Sequence, residues 1–128
     1  MHIERHEVAV TTDASGDVTE YSPVVTGEVL RIRYVPDGSA PLDTGADLTV
    51  TEETSGAPIV TKANIGTSAF DLAPQQPVHA VADGAALLFA SGGEPVTQRV
   101  PVAESRIKFV IASGGNAKAG TFHVWIGG

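Results

Sequence analysis

The stretch 106-RIKFVIASGGNAKAGTFHVWIG-127 decides the fold class. In its first half Ile107, Phe109 and Ile111 fall on one face, and in its second half Phe122, Val124 and Ile126 do the same. Such alternation marks a strand with one side buried, because successive side chains of an extended chain point to opposite faces. Between the two runs, 114-GGNAKAG-120 carries turn chemistry. The segment therefore predicts a closing β-hairpin, with His123 and Trp125 on its outward face.

The same period recurs upstream. Val8 and Val10 alternate in 6-HEVAVTT-12; after the turn 13-DASGD-17, the run 18-VTEYS-22 is expected to return as its partner strand. In 27-GEVLRIRYV-35, Leu30, Ile32 and Tyr34 share one face, and Arg31 and Arg33 line the other, solvated one. Leu48 and Val50 alternate in 46-ADLTVTEE-53, and 54-TSGAP-58 turns the chain into 59-IVTK-62. Residues 63–95, with Pro74, Pro77 and the turn 91-SGGEP-95, are expected to hold a long connection with one or two short strands. No amphipathic helical stretch stands out, and 14 glycines and 8 prolines punctuate the runs. The expectation is an all-β fold: a single β-sandwich domain over 1–128, jelly-roll-like, with roughly seven to nine short antiparallel strands.

Composition narrows the function classes. With 42% hydrophobic residues in 128, one domain can bury a sizeable core. There is no cysteine, so disulfide and thiolate chemistry are absent. A formal net charge of −7 opposes nonspecific binding to nucleic acid or an anionic membrane. Trp125, Tyr21 and Tyr34 are too dispersed for a base-stacking platform. The opening 1-MHIERHEVAV-10 lacks the apolar core of a signal peptide, so no export signal is expected. The longest apolar segment, 84-GAALLFA-90, falls well short of the roughly 18 residues of a membrane span.

One motif suggests catalysis. In 41-PLDTGADLTV-50, Asp43-Thr44-Gly45-Ala46 spells the active-site sequence of retropepsin-like aspartic proteases, where two carboxylates about 3 Å apart share a proton. One motif per chain would suffice in a symmetric dimer. Yet the polar 36-PDGSAP-41 precedes it, where that family has a hydrophobic strand. The bracing apolar-apolar-Gly candidates, 111-IASGG-115 and 125-WIGG-128, have no helix after them, and the flap candidate 63-ANIGTSAF-70 has weak strand flanks. Asp43 is read as a turn residue whose carboxylate caps nearby backbone N–H groups. No catalytic residue is assigned, and a dimeric protease using Asp43 is kept as an alternative.

Other chemistry is thinner. His2 and His6 share a strand face but stand about 13 Å apart along it, too far to chelate one ion directly; His79 and His123 are read as solvent-facing. The acidic loops 13-DASGD-17 and 37-DGSAPLDTGAD-47 offer oxygen ligands for calcium but lack the closing glutamate of the EF-hand pattern. Serines in 66-GTSAF-70 and 112-ASGG-115 have no His and Asp at an arguable spacing. No metal ligand and no cofactor-binding residue is assigned.

Across most of its length the chain resembles small β-rich virion structural proteins of tailed bacteriophages. The resemblance lies in whole-strand patterns: 4-ERHEVAVTTDASGDVTEYSP-23, 27-GEVLRIRYV-35, 46-ADLTVTEETSGAPIVT-61, 74-PQQPVHAVADGAAL-87 and 100-VPVAESRIKFVIASGGNAKAGTFHVWIG-127. It implies a non-enzymatic capsid decoration (cement) protein that stabilises contacts between major capsid subunits, with a head–tail connector or tail component as the alternative. It also implies that 43-DTGAD-47 is a variant of an acidic, glycine-containing loop with no catalytic aspartate. The expected partners are the major capsid protein or another virion structural protein, and further copies of the chain, a trimer being favoured. The expected location is the virion, at the capsid surface or head–tail region, after assembly in the host cytoplasm. The segment 1-MHIERHEV-8 is a candidate for docking, or else simply the first strand. A carbohydrate-binding sandwich with Trp125 facing outward is a further reading.

Overall fold

A computed structural model describes all residues, 1–128, and is all-β. Ten strands form: β1 Ile3–Thr11, β2 Val18–Tyr21, β3 Val25–Pro36, β4 Asp47–Glu52, β5 Pro58–Lys62, β6 Phe70–Leu72, β7 Gln75–Pro77, β8 Thr97–Ser105, β9 Ile107–Ala112 and β10 Ala119–Gly127. They pair antiparallel in two sheets. A six-stranded sheet runs β1-β10-β3-β8-β7, with β6 also on β3, and a four-stranded sheet runs β2-β9-β4-β5. β6 and β7, three residues each, are the short strands expected within 63–95; the tenth strand is β8, nine residues long, which the sequence pattern did not mark.

The alternating faces are those the sequence predicts. Val8, Val10, Ile32, Tyr34, Leu48, Val50, Ile107, Phe109, Ile111, Phe122, Val124 and Ile126 are all buried in one hydrophobic cluster between the sheets. The expected closing hairpin does not form, however. β9 pairs with β2 and β4 in one sheet, and β10 pairs with β1 and β3 in the other. The two runs therefore bury their apolar faces against each other across the core rather than side by side. The Phe109 and Phe122 rings stack with centroids 5.1 Å apart, and Tyr34 lies 5.1 Å from Phe122 on its other flank.

The connecting segment is an arch, and its backbone shows why. Ser113, Gly115 and Ala117 all take positive φ, which a two-residue hairpin turn does not require in this order. Neighbouring chain holds the arch open. The buried Thr12 hydroxyl donates to the Gly115 carbonyl and accepts from the Lys118 N–H at 2.9 Å, and the Gly114 N–H donates to the Gly16 carbonyl at 2.8 Å.

Two other expectations are corrected. The run 18–22 does not return beside β1; it pairs with β9, so turn 13–17 also crosses from one sheet to the other. In β3 the register slips between Trp125 and Ile126: Arg31 faces Trp125 and Val29 faces Ile126. This bulge puts Val29 in the core and leaves Leu30 half-buried on the outer side, where simple alternation puts Leu30 inward. The hairpin at 54–58 forms as expected between β4 and β5.

Tyr34 is the largest fully buried side chain, and its hydroxyl donates to the Gly66 carbonyl at 2.8 Å. Burial pushes the phenol pKa up. Phe122→Ala is expected to destabilise the fold by about 3–5 kcal/mol in urea denaturation, because it leaves a void between Tyr34 and Phe109. Tyr34→Phe keeps the ring and orphans the Gly66 carbonyl, so a loss of about 1–3 kcal/mol is expected, detached from any packing change.

Candidate functional site

The Asp-Thr-Gly-Ala motif lies in the connection from β3 to β4. Leu42 and Ala46 are both fully buried, and residues 43–45 are the exposed tip between those two anchors. The tip is a tight turn, in which the Ala46 N–H donates to the Asp43 carbonyl at 3.0 Å. It docks on the inter-sheet arch: the Asp43 N–H donates to the Gly114 carbonyl at 3.0 Å, and its carboxylate sits against Gly115, where an added Cβ would meet Oδ2 at 2.5 Å.

The expected capping role belongs to a different aspartate. Asp37 Oδ2 accepts from the Ser39 and Ala40 N–H groups at 3.0 and 2.8 Å, and these bonds hold its carboxyl below the usual range, Ala40 contributing most. The Asp43 carboxylate accepts no hydrogen bond within the chain. Its surroundings form an open polar recess of about 540 Å³ lined by Pro41, Asp43, Thr44, Thr67, Ser113 and Lys118, among others.

The supporting elements of the protease motif are laid out otherwise. The flap candidate 63–70 is no hairpin over a cleft. Ile65 donates to the Ala46 carbonyl at 2.9 Å, Gly66 is held by Tyr34, and a Cβ on Gly66 would come within 2.7 Å of the Thr44 Cα. The segment 111–115 runs from β9 into the arch, and 125–128 ends the interior strand β10; neither leads into a helix.

The remaining polar candidates are dispersed. Asp13 Oδ1 accepts from the Ser15 and Asp17 N–H groups within its own turn, and Asp47 Oδ1 accepts from the Asn64 N–H beyond β5, so each acid is engaged by backbone. His2 Nε2 stands 3.0 Å from Glu4 Oε1; His6 Nε2 lies 3.4 Å from Oε2 of the same carboxylate without making a hydrogen bond. No three His, Asp or Glu side chains converge as a ligand set. His79 is exposed, with Nδ1 3.0 Å from the Gly84 carbonyl, and His123 lies outward beside Trp125.

Arg31 and Arg33 do not simply line a solvated face. Both hold Asp71 of β6: Arg33 through Nε and Nη2 at 3.2 and 2.9 Å, and Arg31 through Nη1 at 3.2 Å. The Arg33 hydrogen bonds, then the two arginine charges, hold the Asp71 carboxyl below the usual carboxylate range. The short strand β6 is thus fastened to β3 by charge as well as by backbone.

The segment 78–96 is the feature that composition did not lead the sequence reading to single out. It leaves the sheet after β7 and returns at β8 as a small meander. Val78 and Leu87 pair, as do Leu87 and Val96, and Phe89 donates to the Glu94 carbonyl at 3.0 Å. It has backbone order but no core: every residue from 81 to 94 is exposed. Val81 and Phe89 are almost wholly so, at 105% and 77%, and Leu87 and Leu88 are exposed at 43% and 39%. The signal was the run 84-GAALLFA-90. Close to the arm's base, the outer face of the six-stranded sheet carries an open groove of about 500 Å³, in which Leu30, Trp125 and Ile3 meet Arg31 and Arg99.

Comparison with known proteins adds little. No protein-family model matches the chain, and no curated protein matches it by sequence. Among solved structures, a crystal structure of FLHE is similar at 11% identity and a TM-score of 0.43, with 98% of this chain and 96% of that chain covered. A likeness of that size carries no functional argument.

The charge latch yields a test with a definite sign. A carboxyl held low in the folded state contributes stability above its unfolded value, about 4, and that contribution is lost as pH falls through the native value. Asp71→Asn should therefore lower the melting temperature at pH 7, and the gap to the parent should close progressively below about pH 4. A gap that persists unchanged at pH 2 would assign the effect to packing.

Proposed function

We propose that the chain is a non-catalytic assembly protein of a tailed-phage virion, acting as a capsid decoration protein that reinforces contacts between major capsid subunits. The observation supporting this reading is the arm at 78–96, an ordered, apolar, core-less excursion on an otherwise well-buried sandwich. Contiguous exposed apolar surface of this kind marks an interaction site rather than a random surface. Its residues face outward from the sheet edge and enclose no cleft for a small substrate, so the partner they suit is another protein.

The rest of the molecule is compatible with that role. A formal charge of −7 suits a position outside the particle, away from packaged DNA. The segment 1–8 is not a free docking tail; β1 is paired with β10 from Ile3 to Thr11. Its charged Glu4, Arg5 and Glu7 guard the open edge against indiscriminate strand addition. Reinforcement would come from many copies on a fixed lattice, each contact weak and their sum large.

The deciding experiment removes the chain from its phage and heats the purified heads. Heads lacking it should release DNA at lower temperature, or at lower salt dilution, than heads that carry it. Equal stability, or absence of the chain from purified heads, overturns the reading.

A further inference from the structure

We infer that the 78–96 arm docks in the groove on the outer face of the six-stranded sheet of a second copy of this chain. This rests on the assembly reading above and names one partner within it. The match is chemical. The groove is lined by Leu30, Ile3 and Trp125 together with Arg31 and Arg99, and by no acid. In a chain with 15 acidic and 8 basic residues, an acid-free apolar recess carrying two arginines is a distinctive surface. Arg31 shares Asp71 with Arg33, but Arg99 makes no ion pair within the chain.

The arm has the complementary character. Between Lys62 and Arg99 the sequence contains no lysine or arginine, and the arm's charged residues are Asp83 and Glu94. Asp83 sits at the tip beside Val81, and Glu94 is hydrogen-bonded by its carbonyl to Phe89. The arm's charged side chains are thus both acidic, Asp83 accepting from the Ala85 N–H at its tip, while those of the groove are arginines. Charge of this kind selects partner and register, while the apolar contact supplies the adhesion.

The bulge in β3 gives the groove its floor. By expelling Leu30 from the core, the register slip at Trp125 and Ile126 places an aliphatic side chain on the outer face beside Trp125. Gln75 of β7 lines the groove and leads within a few residues into the arm at Val78, so arm and groove are neighbours on one chain. A second copy can then receive the first copy's arm and return its own, or pass it on around a closed ring.

The test is the solution mass of the purified chain by light scattering, with three variants. The parent should sediment and scatter as a multiple of 13.2 kDa. Val81→Ser with Phe89→Ser should give a folded monomer, because both positions are exposed in the single chain. Arg99→Glu should weaken association by about tenfold or more, and adding Glu94→Arg to it should restore most of the loss. A monomeric parent, an oligomer indifferent to the arm substitutions, or a charge swap without rescue overturns the inference. The two readings fail separately. A monomer that still binds heads through its arm removes self-docking and leaves the decoration role; an arm-dependent oligomer absent from heads does the reverse.

Discussion

The stack of Phe109 on Phe122 across the core, with Tyr34 against the far side of Phe122, is the contact on which the other elements depend. Each ring comes from a different strand, and the two sheets meet there. Because Phe109 and Phe122 are only a short segment apart in sequence, that segment must bridge the sheets rather than turn within one. The left-handed residues at 113, 115 and 117 answer that demand, and Thr12, Gly16 and Asp43 satisfy the arch's backbone groups. Close packing extends the constraint. A Cβ on Gly120 would come within 2.6 Å of the Tyr34 ring, so β10 can pass the tyrosine only as glycine. The Tyr34 hydroxyl then fixes Gly66, and Gly66 lies against Thr44. A sequence that spells a protease motif is thereby part of the scaffold that closes one end of the sandwich.

Which side chains point inward was mostly legible in the sequence; of the strand pairings, only the β4–β5 hairpin was. A period of two assigns faces without naming a partner: Ile107, Phe109 and Ile111 are buried whether β9 lies beside β10 or opposite it. Turn residues did not discriminate either, since glycine and asparagine serve an arch as well as a hairpin. Leu30 failed for a related reason. With Val29 and Leu30 adjacent, two registers bury an apolar residue, and the slip opposite Trp125 selects Val29. For the aspartates, position within the turn decides. Asp37 precedes Gly38 and Ser39 in an Asx-type loop and caps it, whereas Asp43 spends its backbone, not its carboxylate, on the fold.

The arm was visible as composition and opaque as structure. A continuous apolar run bounded by turns ordinarily marks a strand buried on both faces, and 84-GAALLFA-90 fits that description. It escapes burial because β6 and β8 take consecutive stretches of the same edge of β3, at Ile32–Tyr34 and Val25–Val29. Between them β7 adds to the outer edge of β8, and the chain from 78 to 96 loops beyond that edge, where its residues 81–94 stay exposed. Cations contribute to the same layout. Arg31 and Arg33 fasten β6 through Asp71, and Arg106 pairs with Glu53 while lying 4.0 Å over the Tyr21 ring, joining β9 to its neighbours. Three of the eight cations are thus committed to holding strands in place, while Arg99 stays free beside the outer groove.

The magnitudes bear on how such an arm could work. Fully burying a large apolar side chain is worth about 1.5–3 kcal/mol, and of the arm's apolar residues Leu87 and Leu88 are only partly available, at 43% and 39% exposure. Association costs roughly 4–15 kcal/mol in lost translational and rotational freedom. One arm in one site would therefore bind weakly. Reciprocal exchange between two copies, or a closed ring, adds a second and third arm at little further entropic cost, since the partners are already joined. The proposed assembly gains from the same arithmetic: a linked set of copies presents several faces to a repeating shell at once, and a contact too weak to hold a single sandwich holds the set.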